Sequence, residues 1–438
     1  MGMKCVACGT DNVLKDRTRN SGRCKRCNHT FVFEPAGMSD KKLAFTDPFF
    51  QKAIDDISNH NLLSFTPKQF LYFIDRRLKA RASKGRWSWV IFYLFLNFVV
   101  AAFFAQDIAY LVGSSIYNLL WIAAFFNGSK SLQLGTRGRK DNANKLQILG
   151  VLILVIGIIH SLSKNLLIGY GVTTVLGLSA IWLGILQKRR HGSIGEVFLV
   201  EAALSEEWLR RWQAVNGRLD KLLPQPRQNT LPINPDAANV DPEVSAYSFD
   251  RAIVCESDAI AQFLIANNVH FENNCAILSI NGYPQSIFDT VMEMLRRNAD
   301  LKVYVLHDAS PAGVSLVHQL RSSPDWFANQ PATIFDLGLS PRQILAGRDF
   351  FLQKSDAIAR SAGQLPDAVR QSLTDQEQAW LDAGYFVELE SFAPQRLLRV
   401  VNYGLAQSGD PQSNDGLIVM DDGMSYGGGY VFASDSFG

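Results

Sequence analysis

Residues 303–313 read VYVLHDASPAG. Val303 to Leu306 are apolar and favour β-structure, and His307-Asp308 ends the run. A turn follows, and Gly313 opens the next helical pattern. In open α/β sheets, ligands gather at the carboxyl ends of strands, and an acid there commonly meets a metal or a phosphate. Two residues on, where a second acid would complete a metal site, stands Ser310.

The alternation extends both ways. RAIVCES from 251, NCAILSI from 274, LKVYVLHD from 301 and ATIFDLGL from 332 read as strands. DAIAQFLIANN, QSIFDTVMEMLRRN and AGVSLVHQLRS read as the helices between them. Apolar strands alternating with helices predict a parallel sheet covered on both faces, a Rossmann-like α/β domain over 249–405. Glu256, Asn281-Gly282, and Asp308 with Ser310 fall at the strand ends, and Asp336 is a fourth candidate there. Cys255 and Cys275 lie inside apolar runs and are read as core thiols.

These residues resemble a Toprim domain, of the type in the A subunit of topoisomerase VI and its meiotic recombination relatives. The likeness rests on Glu256 at the first strand end, NGYP after the second and HDASPAG after the third. DLGLSPRQI and AGYFVELESFAP are similar to the later segments of that group. The resemblance implies that Glu256 is a general acid/base or metal ligand, and that Asp308 is the first of two Asp residues holding Mg²⁺ for strand cleavage and rejoining. Ser310 stands at the second Asp. Asn281, Gly282, Ser310 and Gly313 are candidate binding residues around that centre. The nucleophilic Tyr of those topoisomerases lies in a winged-helix domain ahead of Toprim, and nothing in this chain resembles that domain. Mg²⁺ is usually held by one or two carboxylates plus substrate phosphate, so Glu256 and Asp308 meet the minimum. A Ser hydroxyl brings no charge, so a weaker site is expected.

CVAC (Cys5, Cys8) and CKRC (Cys24, Cys27) stand fifteen residues apart. Four thiolates from two tight turns are the structural zinc arrangement, so residues 1–35 are expected to be a zinc ribbon folded by its metal. No βαβ pattern surrounds either pair, which argues against a redox CxxC. His29 is read as a surface residue, since four sulfurs already fill the site. The basic residues of the ribbon, among them Arg17 and Lys25, are read as a solvated face, with nucleic acid as the other reading.

The net charge of +2 by itself names no acidic or basic partner. Hydrophobicity is concentrated in 87–186, where four membrane spans are expected at 87–105, 108–126, 146–162 and 166–186. Basic residues flank these spans before the first, between the second and third, and after the fourth. That pattern predicts an inner-membrane, multi-pass protein with both termini cytoplasmic. Asp107 and His160 lie near the outer ends, and Gly and Ser in spans two and four are read as packing residues. The start has no signal-peptide pattern, and Val6 stands where a myristoylation motif needs Ser or Thr.

Residues 40–86 are expected to form two amphipathic cytoplasmic helices, the second basic and lying along the anionic bilayer surface. A helix over 194–223 and a Pro-rich linker complete 187–248, and 406–438 reads as a flexible tail. Three functions are compatible with this layout. The first is a membrane-anchored module in which a degenerate Toprim domain binds nucleic acid, a nucleotide or a protein partner, with homo-oligomers allowed. The second is a tethered Mg²⁺-dependent nuclease or phosphoryl-transfer enzyme, for example in defence against foreign DNA. The third is a small channel or effector gated by the cytoplasmic domain.

Overall fold

The computed structural model describes residues 2–38, 40, 42–82, 88–103, 107–164, 167–190, 195–226, 251–285, 288–296, 298, 300–328, 332–347 and 350–407. The linker expected over 224–243 lies almost wholly outside these residues, as does the tail beyond 407.

At the N-terminus, strands β1 (Gly2–Lys4) and β2 (Asp11–Val13) pair antiparallel, and helix α1 (Leu14–Arg19) follows. Helices α2 (Asp47–Ile57) and α3 (Pro67–Ala82) come next. Phe33, Phe45, Phe50, Phe65 and Phe70 form a buried aromatic core with Trp208 and Trp212, which come from a helix beyond the apolar region. Each such side chain contributes roughly 1.5–3 kcal/mol by leaving water. The Asp47 carboxylate accepts the N–H groups of Val32 (3.0 Å) and Phe33 (2.8 Å), fastening the ribbon to the start of α2.

Helix α3 differs from the expected surface helix. Phe70, Leu71, Tyr72, Phe73, Ile74 and Leu78 are all buried, and Asp75 and Lys79 are buried with them. Its charges face protein partners: Lys79 pairs with Asp75 at 2.7 Å, and Arg77 with Asp56 at 2.7 Å. Arg76 and Arg81 stay exposed, so only part of the basic face is taken up by protein.

Helices α4 (Ser88–Phe103), α5 (Asp107–Lys130), α6 (Thr136–Lys164) and α7 (Leu167–Arg190) form the apolar region. Among the described residues, three segments are long and apolar enough to cross a membrane: Leu111–Lys130, Thr136–Leu162 and Ile168–Arg189. Ile91, Phe98, Leu120, Ile159, Ile168 and Val175 turn outward, exposing apolar surface that water would not tolerate at this density. The chain is therefore a membrane protein. Helix α4 is shorter, at 16 residues, so the described part of the first expected span reaches about 24 Å against a hydrocarbon core of about 30 Å. The third expected span sits in a helix that starts ten residues earlier than 146, because Arg137, Arg139 and Lys140 continue it beyond the apolar stretch. Helices α6 and α7 approach closely at glycines. A Cβ on Gly150 would lie 2.6 Å from the Gly177 carbonyl, and one on Gly184 2.8 Å from that of Ala143.

Residues 195–201 are not helical and bend at Leu199 and Val200, and α8 spans Ala202–Asn216, so the helix expected over 194–223 is shorter at both ends. This non-helical backbone has fixed uses. Leu199 and Val200 donate to Asp75, and the Glu196 N–H donates to the Leu352 carbonyl.

The C-terminal domain carries strands β3 (Arg251–Cys255), β4 (Cys275–Ser279), β5 (Lys302–Leu306) and β6 (Thr333–Asp336). They form one parallel sheet in the order β4-β3-β5-β6. Helices α9 (Asp258–Ala266), α10 (Val269–Glu272), α11 (Phe288–Arg296) and α12 (Pro311–Ser322) connect the strands. Two apolar cores line the faces, one with Ile253, Tyr304 and Leu306, the other with Val254, Val303 and Val305. Helices α13 (Pro341–Ala346), α14 (Asp356–Ala362), α15 (Asp367–Ser372) and α16 (Asp375–Asp382) follow, with the small sheet of β7 (Gln353–Lys354) and β8 (Tyr385–Phe386). Helix α17 (Pro394–Gln407) closes the domain. The expected α/β architecture is the one found. From β3 the chain passes to β4 on one side, then crosses to β5 on the other, so the order of strand addition reverses between β3 and β5 while all strands stay parallel. That reversal opens a crevice at the strand ends.

Candidate functional site

Parallel register sets Cys255 beside Leu306, so the next residues out, Glu256 and His307-Asp308, emerge together at the crevice. The Asp308 N–H donates to Glu256 Oε2 at 2.8 Å. The Asp308 carboxylate in turn accepts the N–H of Leu389 at Oδ1, 2.7 Å. Leu389 arrives there because Ala309 and Val387 exchange main-chain hydrogen bonds of 2.9 and 3.1 Å. Burial raises the pKa of Glu256, against the pull of the Asp308 N–H and of His307. Burial and the Glu256 charge push Asp308 well above the usual carboxylate range.

Ser310 is the N-cap of α12. Its Oγ accepts the Gly313 N–H at 3.0 Å and donates to Glu256 Oε1 at 3.4 Å. The residue standing at the second Asp position therefore keeps the capping task of an acid and loses its charge. Gly313 serves close approach: a Cβ there would collide with the Asp308 carbonyl and lie 2.9 Å from Glu256 Oε2.

His307 lies beneath the acids, 1% exposed. Its Nδ1 is 2.8 Å from the Asp308 carbonyl and its Nε2 3.0 Å from Asp336 Oδ1. Both partners are acceptors. Burial opposes the charge on the ring, but Asp336 and the carbonyl outweigh it and raise the pKa to about 9. Asp336 is held below its ordinary value despite burial, by His307 and the Gly338 N–H. Asp336 thus serves His307.

On the β4 side, Asn281 Nδ2 and Ser279 Oγ donate to Asp258 Oδ1 at 3.2 and 2.5 Å. Gly282 adopts φ +84°, a left-handed conformation that glycine takes at no steric cost. Glu256, Asp258, Asn281 and Asp308 line one cleft of about 410 Å³. Sequence reasoning named three of these and missed Asp258. The spacing Glu-Ser-Asp at a strand end was the available signal.

A second set of acids stands beside Asp308 from further along the chain. Lys68 of α3 reaches Glu388 at 2.7 Å and Glu390 at 3.8 Å. The Thr66 hydroxyl donates to Glu390 at 2.7 Å, and the Tyr72 hydroxyl donates to Glu388. Burial raises the pKa of Glu390, with Lys68 and Thr66 pulling it back down. For Lys68, burial opposes the charge, and Glu388 and Glu390 raise the pKa on balance.

The donor set at the crevice fits a hard cation poorly but not prohibitively. Glu256 and Asp308 offer carboxylate oxygens, and the main-chain bonds engage only one oxygen of each. Among the described residues, no third acid or His joins them within 4.8 Å.

The four ribbon cysteines fit a metal closely. Their Sγ atoms all lie within 4.8 Å of one another, and His29 is outside the group. Cys5–Cys27 and Cys8–Cys24 are each 3.6 Å apart. A tetrahedron with zinc–sulfur bonds of about 2.3 Å has edges of about 3.8 Å. The two turns are alike. Gly9 donates to Cys5 at 2.9 Å and Asn28 to Cys24 at 3.0 Å, both donors at positive φ. Part of the expected solvated face is structural, since Arg17 is buried against Glu34 at 2.7 Å.

Residues 251–334 match the family model for the Toprim domain of the topoisomerase 6 A chain and Spo11. The match takes in β3, β4, β5 and the start of β6, and with them Glu256, Asp258, Asn281, Asp308 and Ser310, but neither Asp336 nor the 388–390 loop. A search of curated proteins finds no match to the chain. The C-terminal sheet thus matches a Toprim domain of the topoisomerase VI A type over these residues, and a zinc-ribbon-like cysteine cluster and apolar helices precede it.

Proposed function

We propose that this membrane protein presents a zinc ribbon and its Toprim domain to the cytoplasm, and that the Toprim domain binds nucleic acid through one divalent ion without cutting it. The observation that carries this reading is Ser310. It occupies the place of the second metal acid, caps a helix and leaves Glu256 and Asp308 as a pair. Two-ion phosphoryl transfer needs more charge than that pair provides. The cleft is lined by three acids, so a phosphate enters only with a cation between them. Mg²⁺ fills that role, held by Glu256, Asp308 and the phosphate itself. Zinc in the cysteine cluster is supported by its sulfur spacing. A four-span arrangement with α4 as the first span, in an inner membrane with cytoplasmic termini, is supported by the basic flanks in the sequence.

A second reading, a tethered Mg²⁺-dependent nuclease, is favoured by one fact: Glu256 and Asp308 line the same cleft. The full-length chain in detergent, incubated with end-labelled DNA and RNA and either Mg²⁺ or Mn²⁺, separates the two. Metal-dependent retention of intact strands is expected. Cleavage that disappears in Asp308→Ala would establish the nuclease, and absence of retention on every nucleic acid would remove the binding reading.

A further inference from the structure

Helix α3 lies outside the family match, yet it touches the Toprim acids at one end and the foot of the membrane helices at the other. At its N-terminal end Thr66, just before the helix, and Lys68 and Tyr72 in its first two turns grip Glu388 and Glu390. Between those two acids sits Leu389, whose N–H is bonded to Asp308. The 388–390 loop is therefore held on one side by α3 and on the other by the crevice acid. The Tyr72 hydroxyl also accepts from Gln353 at 2.6 Å, and its ring packs on Phe351 and Phe198 with centroids 4.9 Å away.

Further along α3, Asp75 and Lys79 enter a buried ion cluster. Lys79 bonds the Val197 carbonyl at 2.9 Å and lies 3.5 Å from Glu196. Glu196 accepts the N–H and hydroxyl of Thr136 at 2.9 and 3.1 Å and pairs with Arg139 at 3.4 Å, both at the start of α6. Thr66 to Lys79 is about 20 Å of helix. The helix is buried along most of that length and so has little freedom to move at one end alone.

We propose that α3 positions the Toprim acid pair: Thr66 and Tyr72 hold the 388–390 loop in register with Asp308, and the buried cluster at Glu196 ties that register to the membrane helices. The proposal rests on the reading that Glu256 and Asp308 hold a divalent ion, and it deepens it by making the affinity a property of the full chain. Thr66 and Tyr72 act through Leu389 and are positioning residues. Lys68 lends charge as well as position, so neutral partners give the cleaner test.

Tyr72→Phe keeps the ring and the charge and removes only the hydroxyl. Thr66→Val removes the Glu390 contact together with the cap that the Thr66 hydroxyl gives the Gln69 N–H at 3.0 Å, so Tyr72→Phe is the cleaner of the two. In the full-length chain in detergent, Mn²⁺ titrated calorimetrically is expected to bind these variants about fivefold more weakly, at the low end of typical coupling between sites. Amide exchange, read without metal, is expected to rise at 388–390 in both variants and at 195–200 as well. Glu196→Gln, made at the other end, is expected to raise exchange at 388–390 in return, because coupling is reciprocal. Unchanged Mn²⁺ affinity together with exchange confined to the mutated end would overturn the proposal. If wild type takes up no Mn²⁺ while the exchange coupling appears from both ends, the metal reading has failed and the positioning role stands. Exchange unaltered at the far end in all three variants removes that role whether or not Mn²⁺ binds.

Discussion

Asp308 donates its own N–H to the Glu256 carboxylate at 2.8 Å, so the two acids of the crevice are locked to each other before any ligand arrives. The oxygen that would complete a metal site is the hydroxyl of Ser310, 3.4 Å from the same Glu256. An Asp is as good an N-cap as a Ser, so Ser310→Asp should keep α12 capped while adding a third carboxylate. Mn²⁺ affinity is expected to rise about tenfold by calorimetry, and the thermal midpoint in chelator is expected to fall because three acids then repel one another. Equal affinity in the variant and wild type would show that the third position does not face the ion.

The ribbon has a small core of Met3, Cys5, Cys24 and Phe31, too little to fold thirty residues unaided. One zinc per chain is expected by elemental analysis, and Cys8→Ser is expected to lower that content. Chelation should raise amide exchange over 2–30. It should leave Phe33 protected, because its N–H is bonded to Asp47 at the edge of the aromatic core. Full zinc content in Cys8→Ser, or exchange spreading into α2, would contradict this account.

The crevice was legible because its marks are local: a period-two apolar run, an acid at its tip, and a glycine where a helix must approach. The same locality explains Ser310, two residues from Asp308. Glu388 and Glu390 carry no such mark. Their partner Lys68 lies 320 positions away from Glu388 in the chain, and the Ala309–Val387 pairing and the Leu389–Asp308 bond that bring the loop to the crevice are long-range. The burial of much of helix α3 is hidden for a related reason. Asp75 and Lys79 stand four apart and pair locally, but nothing local says that Asp56 and Glu196 meet Arg77 and Lys79 from elsewhere in the chain. His307 was visible but its task was not, since its partner Asp336 comes from the next strand.

Glu377 offers a pH test away from any metal ligand. Burial would raise its pKa, but the N–H and hydroxyl of Thr374 and the Arg342 guanidinium outweigh it, and the folded value lies below the ordinary 4.5. A lowered folded pKa stabilises the protein above pH 4.5, and that contribution is lost as pH falls through the folded value. Glu377→Gln should therefore be less stable than wild type at neutral pH, with the gap closing below pH 4.5. Denaturant midpoints measured across that range check it, and a gap that widens on acidification would reverse the sign.

Arg139 and Glu196 form the junction between α6 and the segment leading to α8, both fully or nearly fully buried at 0% and 6% exposure. Removing one member of a buried charge pair leaves the other without compensation, at a cost of about 3 kcal/mol. Arg139→Met should show that loss as a lower melting temperature in detergent, because Lys79 at 3.5 Å compensates Glu196 only in part. The paired change Arg139→Met with Glu196→Gln should recover much of it, since two neutral groups of similar size carry no desolvation penalty for charge. Glu196→Gln keeps an acceptor for the Thr136 N–H, so α6 retains its start. A double variant no more stable than Arg139→Met alone would mean that shape, not charge, holds the junction together.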